Sequence, residues 1–424
     1  MVEQIQAIRG MHDILPDKSP IWQKLEQCIR DILQTYGYQE IRMPVIEKTE
    51  LFKRSIGEST DIVSKEMYTF TDRNGELLTL RPEGTASCVR LGLENGLFHN
   101  PAQRLWYSGP MFRHERPQKG RLRQFNQIGV EAFGMNGPDI DAELIIMCER
   151  IWANLGLDKL KLEINSLGTS AARLSYREIL IEYFKDSQDQ LDDDNKKKLQ
   201  SNPLRILDSK NPEMQDLISK APAITDTLDT ESADHFAGVR SLLDELQIKY
   251  TVNPRLVRGL DYYNRTVFEF ITEELGAQGT VCAGGRYDGL VEQFGGKPTP
   301  AIGFAMGLER LVSLIESDNH QPDSEGVHIY FIVASEKAMP NALVLAEQLR
   351  DNLAGLKLIV HCGGGSFKSQ FRRADKSGAK LALILGEDEL EQKTVGIKPL
   401  RQDQEQIMAQ WSNIVDIVRE QLDS

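Results

Sequence analysis

The chain has 424 residues, 40% of them hydrophobic, and a formal net charge of -13. That length is enough to bury substantial cores in roughly two to four domains, while the acidic balance excludes passive coating of nucleic acid, DNA included, because the mean field repels phosphate. No apolar run approaches the ~18 residues of a membrane span, and residues 1–10 lack the apolar centre of a signal peptide, so no membrane association and a cytoplasmic location are expected.

Residues 20–36 carry Trp22, Leu25, Ile29, Ile32 and Leu33 at helical spacing, and 41–45 pattern as a short strand. LLTL precedes TLRPEGT, and RLWYSGPMFR and FNQIGVEAFG form two strands joined by a basic loop, which predicts a sheet with a long antiparallel hairpin. From Ser170 to about Tyr250 the texture turns helical, interrupted by SQDQLDDDNKKK, whose dense charges belong at a surface. TVFEFIT and GTVCAGG then resume the sheet, and GFAMGLERLVSLI predicts a glycine-bounded turn feeding an amphipathic helix. The turn-forming SDNHQPDSEG, 317–326, marks a linker. Beyond it VHIYFIVA, a helix carrying Ala342, Leu345, Leu349 and Leu353, LKLIVHC, another helix and LALILG alternate, as in a small α/β domain with largely parallel strands.

The five cysteines, Cys28, Cys88, Cys148, Cys282 and Cys362, are odd in number and far apart, which suits neither a disulfide framework nor a zinc site. HCGGGSFKSQF fails as a phosphate loop because Phe367 stands where glycine must precede Lys368, so a turn leading into a helix is expected there. In the hairpin loop Arg113, Arg116, Lys119, Arg121 and Arg123 are opposed only by Glu115, and on charge alone this is a solvated basic loop.

Four separated segments change that assessment. LTLRPEGT, FRHERPQKGRLRQF, VRGLDYYNRTVFE with AGGRYDGLV, and IGFAMGLERL together resemble the class II aminoacyl-tRNA synthetases, and among them the bacterial histidyl-tRNA synthetase family, over essentially the whole chain. FRHE with its basic loop resembles motif 2, GFAMGLERL motif 3, and Pro44 in IRMPVIE the proline of motif 1 at the dimer interface; RGLDYYNRTVFE and AGGRYDG resemble the two histidine-specific segments. Asn126 departs from the histidine expected at that position in many relatives.

The resemblance implies an α+β catalytic domain on an antiparallel sheet with flanking helices, built from residues 1–169 and 251–320, a helical insertion at 170–250, and an anticodon-binding-like α/β domain at 327–424. It implies a homodimer that joins L-histidine and ATP, with Mg²⁺, into histidyl-adenylate and then charges the 3′ end of its tRNA. Forming the adenylate requires a carboxylate to attack the α-phosphate in line, which calls for fixed cations and alignment of the two reactants. By resemblance Arg258 and Arg113 are catalytic, and Arg113, Glu115, Arg121, Phe125 and Arg310 bind ATP. Arg258 supplies a charge that other class II enzymes take from an additional metal ion; no metal ligand is assigned. The histidine pocket falls to Glu83, Gly84, Thr85, Gln127, Glu131, Tyr262, Tyr263 and Tyr287, and the tRNA acceptor end to Arg116 and Gln118. Gln127 and Glu131 are four apart in a strand, so alternation puts both on one face.

Two other readings compete. The regulatory subunit of ATP phosphoribosyltransferase resembles the same core without the terminal domain, and the presence here of both Arg258 and residues 327–424 opposes it. Another class II synthetase is opposed by RGLDYY and AGGRYDG.

Overall fold

A computed structural model describes residues 4–423 except 58–59, 101, 119, 208, 210, 277–278 and 318–325, and except the side chain of residue 194. The chain divides into two compact units, Met1–Pro322 and Asp323–Ser424.

The first unit is organised by an eight-stranded sheet in the order Gln39–Glu40, Gln103–Phe112, Gln124–Phe133, Ala301–Gly307, Thr280–Arg286, Asn264–Ile271, Lys161–Ser166, Tyr250–Val252. Pairing is antiparallel throughout its centre and parallel only between the first two strands and the last two. One face is covered by helices Ser19–Thr35, Pro138–Leu155, Thr230–Glu245 and Leu308–Ser317, whose apolar stripes join Val130, Phe268, Phe270 and Phe304 in the larger core. Ile21, Leu25, Ile29, Ile32 and Leu33 bury as the helical spacing requires. Pro138 opens its helix, where the missing N–H costs nothing, and Gly156 closes it at φ 71°. Among the described residues no helix is long and apolar enough to cross a membrane.

The other face is lined by side chains from helix Ser170–Lys185 and the shorter helices that follow it up to Ser219. Tyr176, Leu180, Phe184, Ile206, Met214 and Ile218 share one core with Tyr107, Met111, Tyr263 and Tyr287 of the sheet. The highly charged stretch is mostly exposed, although Asp192 caps helix Asp193–Ser201 by accepting from the Asn195 amide at 2.8 Å.

Three local expectations are corrected. Residues 41–45 are not a strand: Pro44 has no N–H to give a ladder, and pairing instead falls to Gln39–Glu40 in the large sheet and Ile46–Lys48 in a small three-stranded one. The carbonyls of Met43 and Pro44 are taken by the Arg81 guanidinium at 3.2 and 3.5 Å. GFAMG is no turn but most of strand Ala301–Gly307; with Gly303 inside a strand, the pattern looks weaker than the register that fixes it. In the second unit the parallel strands Leu358–Val360, Ile329–Val333 and Leu381–Leu385 continue into two antiparallel strands, Thr394–Pro399 and Ile407–Gln410, which the alternation of strands and helices did not reveal. There the three glycines 363–365 take positive φ and Ser366 caps helix Phe367–Lys376, the turn-to-helix junction the sequence predicts. Cys28, Cys88, Cys148, Cys282 and Cys362 are all free thiols.

A buried charge cluster ties the sheet to its covering helices. Arg286 and Asp141, each 0% exposed, form an ion pair at 2.7 Å, with Asp141 in the first turn of Pro138–Leu155. His235 from Thr230–Glu245 reaches the same carboxylate at 2.9 Å, and Asp288 and the Met135 and Gly137 carbonyls accept from the rest of the guanidinium. Removing one partner of such a pair leaves the other charged and dry. Arg286→Met should therefore cost about 3–5 kcal/mol, read as a lowered unfolding midpoint in urea, whereas Arg286→Met with Asp141→Leu should lose less than the single change.

Candidate active site

Below the helical segment, the sheet carries a cavity of about 770 Å³, within the range of sites for small molecules. Its centre is Glu131 on strand Gln124–Phe133, 1% exposed. Three hydroxyls donate to this carboxyl: Thr85 at 2.7 Å, Tyr107 at 3.0 Å and Tyr287 at 2.5 Å. Glycines make the crowding possible. A Cβ at Gly84 or Gly129 would lie 2.2 Å from the Tyr107 ring, and one at Gly303 would lie 1.8 Å from a Glu131 oxygen. Gly84 thus admits Tyr107. Burial pushes the Glu131 carboxyl up to about 8, the three hydroxyls acting in the opposite sense.

Tyr262, Tyr263 and Tyr287 cluster beside it, with ring centroids 4.7 Å apart for Tyr262–Tyr263 and 5.6 Å for Tyr262–Tyr287. Burial holds all three phenols protonated, Tyr263 being raised to about 12 despite the nearby Arg258 charge. Tyr287 is held by its neighbours: Arg286 lies in the buried cluster, and Asp288 exchanges two 3.0 Å hydrogen bonds with Asn264. Gln127 shares the cavity face with Glu131, as strand alternation requires. Glu83 is buried, and its two oxygens accept from the N-terminal amides of helix Thr85–Glu94, Thr85 at 2.7 Å and Ala86 at 2.9 Å.

The opposite end of the cavity is cationic. Arg113 donates to the Pro82 carbonyl at 2.9 Å and lies 5.4 Å from the centroid of Phe125. Arg310 donates to the Gly120 carbonyl at 3.0 Å and to the Thr280 carbonyl. Arg121 pairs with Glu115. Burial lowers the affinity of Arg113 and Arg310 for their protons, and each guanidinium is further disfavoured by other arginines, Arg258 for Arg113, Arg121 and Arg113 for Arg310. Arg258, 2.7 Å from Glu269, is close enough to both groups for its charge to act on Arg113 and on Tyr263. Crowded positive charge in a sheltered cavity is unfavourable until an anion arrives.

The structure thus brings Glu83, Gly84, Thr85, Arg113, Glu115, Arg121, Phe125, Gln127, Glu131, Arg258, Tyr262, Tyr263, Tyr287 and Arg310 to one cavity. Arg116 and Gln118 do not line it; they are exposed on the loop, where Gln118 and Arg121 exchange backbone hydrogen bonds. Lys119 lies outside the described residues. Sequence reasoning missed Tyr107, Glu269, Gly303 and Glu309. Glu269 was visible as a lone carboxylate in the apolar TVFEFIT strand; Glu309, which accepts from Asn126 at 2.8 and 3.0 Å, carried no separate signal.

An antiparallel sheet with its cavity on one face, helices on the other and a separate α/β unit make this a class II aminoacyl-tRNA synthetase fold. The family model for histidyl-tRNA synthetase matches residues 10–311, and that for the anticodon binding domain matches 328–421. A histidine–tRNA ligase from Hydrogenovibrio crunogenus is 58% identical over 419 residues, 99% of this chain and 98% of that one. The crystal structure of apo histidyl-tRNA synthetase from S. aureus superposes with a TM-score of 0.81 at 36% identity, covering 98% of this chain and 100% of that one. At 19% identity a histidyl-tRNA synthetase from Nostoc sp. shares the fold, with a TM-score of 0.68 over 99% of this chain and 100% of that one. The chain belongs to the histidyl-tRNA synthetase family.

The Glu131 shift has a testable sign. With an ordinary value of 4.5 and a folded value of about 8, the folded protein keeps a proton that the unfolded chain releases. Below pH 4.5 both states are protonated and stability is unaffected; it falls as pH rises through the window from 4.5 to about 8 and levels off above it. Glu131→Gln lacks this titration, so in urea unfolding at several pH values its stability relative to the parent should improve across that window and stay flat outside it.

Proposed function

We propose that the chain joins L-histidine to the 3′ end of its tRNA in two steps, with the cavity described above performing the first. The observation that carries this reading is the division of one cavity into an arginine-lined end and a hydroxyl-rich, carboxyl-centred end, bridged by Arg258. A nucleoside triphosphate suits the first and an imidazole the second, and in this reading Arg258 serves both the carboxylate and the α-phosphate.

In this reading Arg113 holds the α-phosphate, and Arg121, paired with Glu115, flanks the phosphates. Arg310 and Phe125 cover the adenine. The histidine carboxylate attacks the α-phosphorus, the bond to the bridging oxygen breaks, and pyrophosphate leaves; Arg258 and Arg113 offset the charge that accumulates on the phosphoryl oxygens. The imidazole N–H donates to Glu131 while Tyr263 serves the opposite edge, satisfying one donor and one acceptor nitrogen. Glu83, Thr85 and Gln127 receive the ammonium group, with Gly84, Tyr262 and Tyr287 shaping the pocket. Among the described residues no three His, Cys, Asp or Glu side chains are grouped as metal ligands, and the carboxylates of Glu269 and Glu309 are engaged by Arg258 and Asn126. In this reading Mg²⁺ comes with the nucleotide, as substrate MgATP.

In the second step the terminal ribose hydroxyl of the tRNA attacks the activated carbonyl and AMP leaves. The exposed positions of Arg116 and Gln118 suit contact with the acceptor end, and the second unit would read unpaired anticodon bases, the part of RNA most open to side chains. A cytoplasmic homodimer fits this activity. Support for the dimer comes from Ile46, Phe70 and Leu77, exposed on the small sheet that follows Pro44. The regulatory alternative is not favoured, since the chain retains the second unit and Arg258.

Amino-acid-dependent pyrophosphate exchange with all twenty amino acids tests the reading: histidine alone should support exchange, and support by another amino acid alone would overturn it. Arg258→Ala should slow exchange by about 10²–10³-fold while histidine binding weakens but persists. Glu131→Gln should weaken histidine binding at least about tenfold and leave ATP binding within about twofold, as measured by calorimetric titration of each ligand.

A further inference from the structure

The loop from Arg258 to Tyr263 carries the bridging cation at one end and the pocket tyrosines at the other, yet its own backbone belongs to no strand or helix. Its conformation is held from outside. The Asp261 amide donates to the Ile56 carbonyl at 3.2 Å, and Leu260 packs against Phe52, Ile56 and Ile62. The Asp261 side chain faces away from the cavity, toward the helical segment. There its Oδ1 accepts from Asn202 Nδ2 at 3.0 Å and from Arg205 Nη2 at 3.2 Å, and the same Arg205 nitrogen donates to the Gly259 carbonyl at 3.2 Å. Arg173, in the first turn of helix Ser170–Lys185, donates to the Tyr263 carbonyl.

Space is as constrained as polarity. A Cβ on Gly57 would stand 2.3 Å from Asp261 Oδ2, and Gly57 itself has φ 96°, so the carboxylate, 32% exposed in its side chain, lies against that glycine on one side and the two donors on the other. Arg205 is only 15% exposed in its side chain, a setting in which one guanidinium nitrogen shared between a carboxylate and a carbonyl is held more firmly than in a surface ion pair.

We propose that Asn202 and Arg205 are positioning residues for adenylate formation: by fixing Asp261 and Gly259 they set the direction of Arg258 on one side and of Tyr262 and Tyr263 on the other. The helical segment is then part of the catalytic apparatus without touching the reacting atoms. The inference rests on Arg258 and the tyrosines acting as proposed above. It concerns histidine and its carboxylate, since Tyr262 and Tyr263, which the latch sets, belong to the carboxyl-centred end of the cavity.

The test is pyrophosphate exchange by full-length variants, with histidine and ATP varied separately. Asn202→Ala and Arg205→Ala should each lower kcat about tenfold, the size expected when a hydrogen bond to a charged group is lost, and should raise the KM for histidine while leaving the KM for ATP within about twofold. Arg205→Lys, which keeps a cation beside Asp261, should recover most of the rate. Asp261→Ala combined with Arg205→Ala should lose no more than either alone, because both remove one latch. Additive losses, or an equal rise in the KM for ATP, would assign these residues to general folding and overturn the proposal. Parental rates in Asn202→Ala and Arg205→Ala beside a disabled Arg258→Ala would overturn the latch and leave the catalytic reading standing; parental exchange in Arg258→Ala would overturn that reading and the latch with it. Should Arg205→Ala fail to fold by circular dichroism, Asn202→Ala and Arg205→Lys carry the same comparison.

Discussion

A carboxylic acid buried in the middle of a sheet has to be satisfied, and the first unit is arranged around doing so. Glu131 cannot reach water, and its three hydroxyl partners come from three different places: a helix N-terminus, the adjacent strand and the end of a distant strand. Each partner imposes a further condition. Tyr107 requires glycine at 84 and 129, the Glu131 side chain itself requires glycine at 303, and Tyr287 requires its flanks to be fixed, which Arg286 and Asp288 do from within a second buried charge cluster. A half-satisfied network of this kind costs more than an apolar core, because the low dielectric that strengthens each bond also penalises each missing one. The residues that look conformationally permissive in the sequence are therefore among the least replaceable.

The same economy governs charge. The chain is strongly acidic, and yet arginines 113, 121, 258 and 310 line one cavity. Two of them are held against backbone carbonyls and two against carboxylates, so their positions are set before any anion arrives. Carbonyl partners orient a guanidinium without neutralising it; the carboxylate partners do neutralise, and those two arginines must exchange or share a partner when phosphate binds. An acidic exterior with a cationic interior restricts polyanion binding to the built site.

Much of this was legible from residue order. Helix Ser19–Thr35, the hairpin, and the alternation of the second unit followed from periodicity, and the Gln127–Glu131 pairing on one face followed from strand geometry. What periodicity could not supply were the facts of long-range register. Strand Ala301–Gly307 reads as a glycine-rich turn because Gly303 answers to Glu131, a side chain 172 positions earlier in the chain. Residues 41–45 have the apolar content of a strand, but one proline moves the pairing to either side. Nothing in the order of residues shows how Glu83 is oriented, and only the helix that begins two residues later supplies the two amides that fix its oxygens. The resemblance to a family located the site; the partners of each residue had to come from the fold.

The placement of the helical segment explains how so large an insertion can serve that site without disturbing it. The chain leaves the sheet at the end of Lys161–Ser166 and returns along Tyr250–Val252, which pairs in parallel beside that same strand with Leu162 opposite Tyr250. Departure and return are neighbours at the sheet edge, so the intervening residues change no register within the sheet, and lengthening a loop whose ends are fixed costs little. Residues 170–224 then fold back over the cavity face, where their apolar side chains share a core with Tyr107, Tyr263 and Tyr287 instead of forming a separate one, while helix Thr230–Glu245 joins the core on the opposite face. A module with its own core could drift relative to the sheet. One that completes the core beneath the pocket tyrosines, and whose Arg173, Asn202 and Arg205 hold the loop above them, is fixed by the packing that shapes the site.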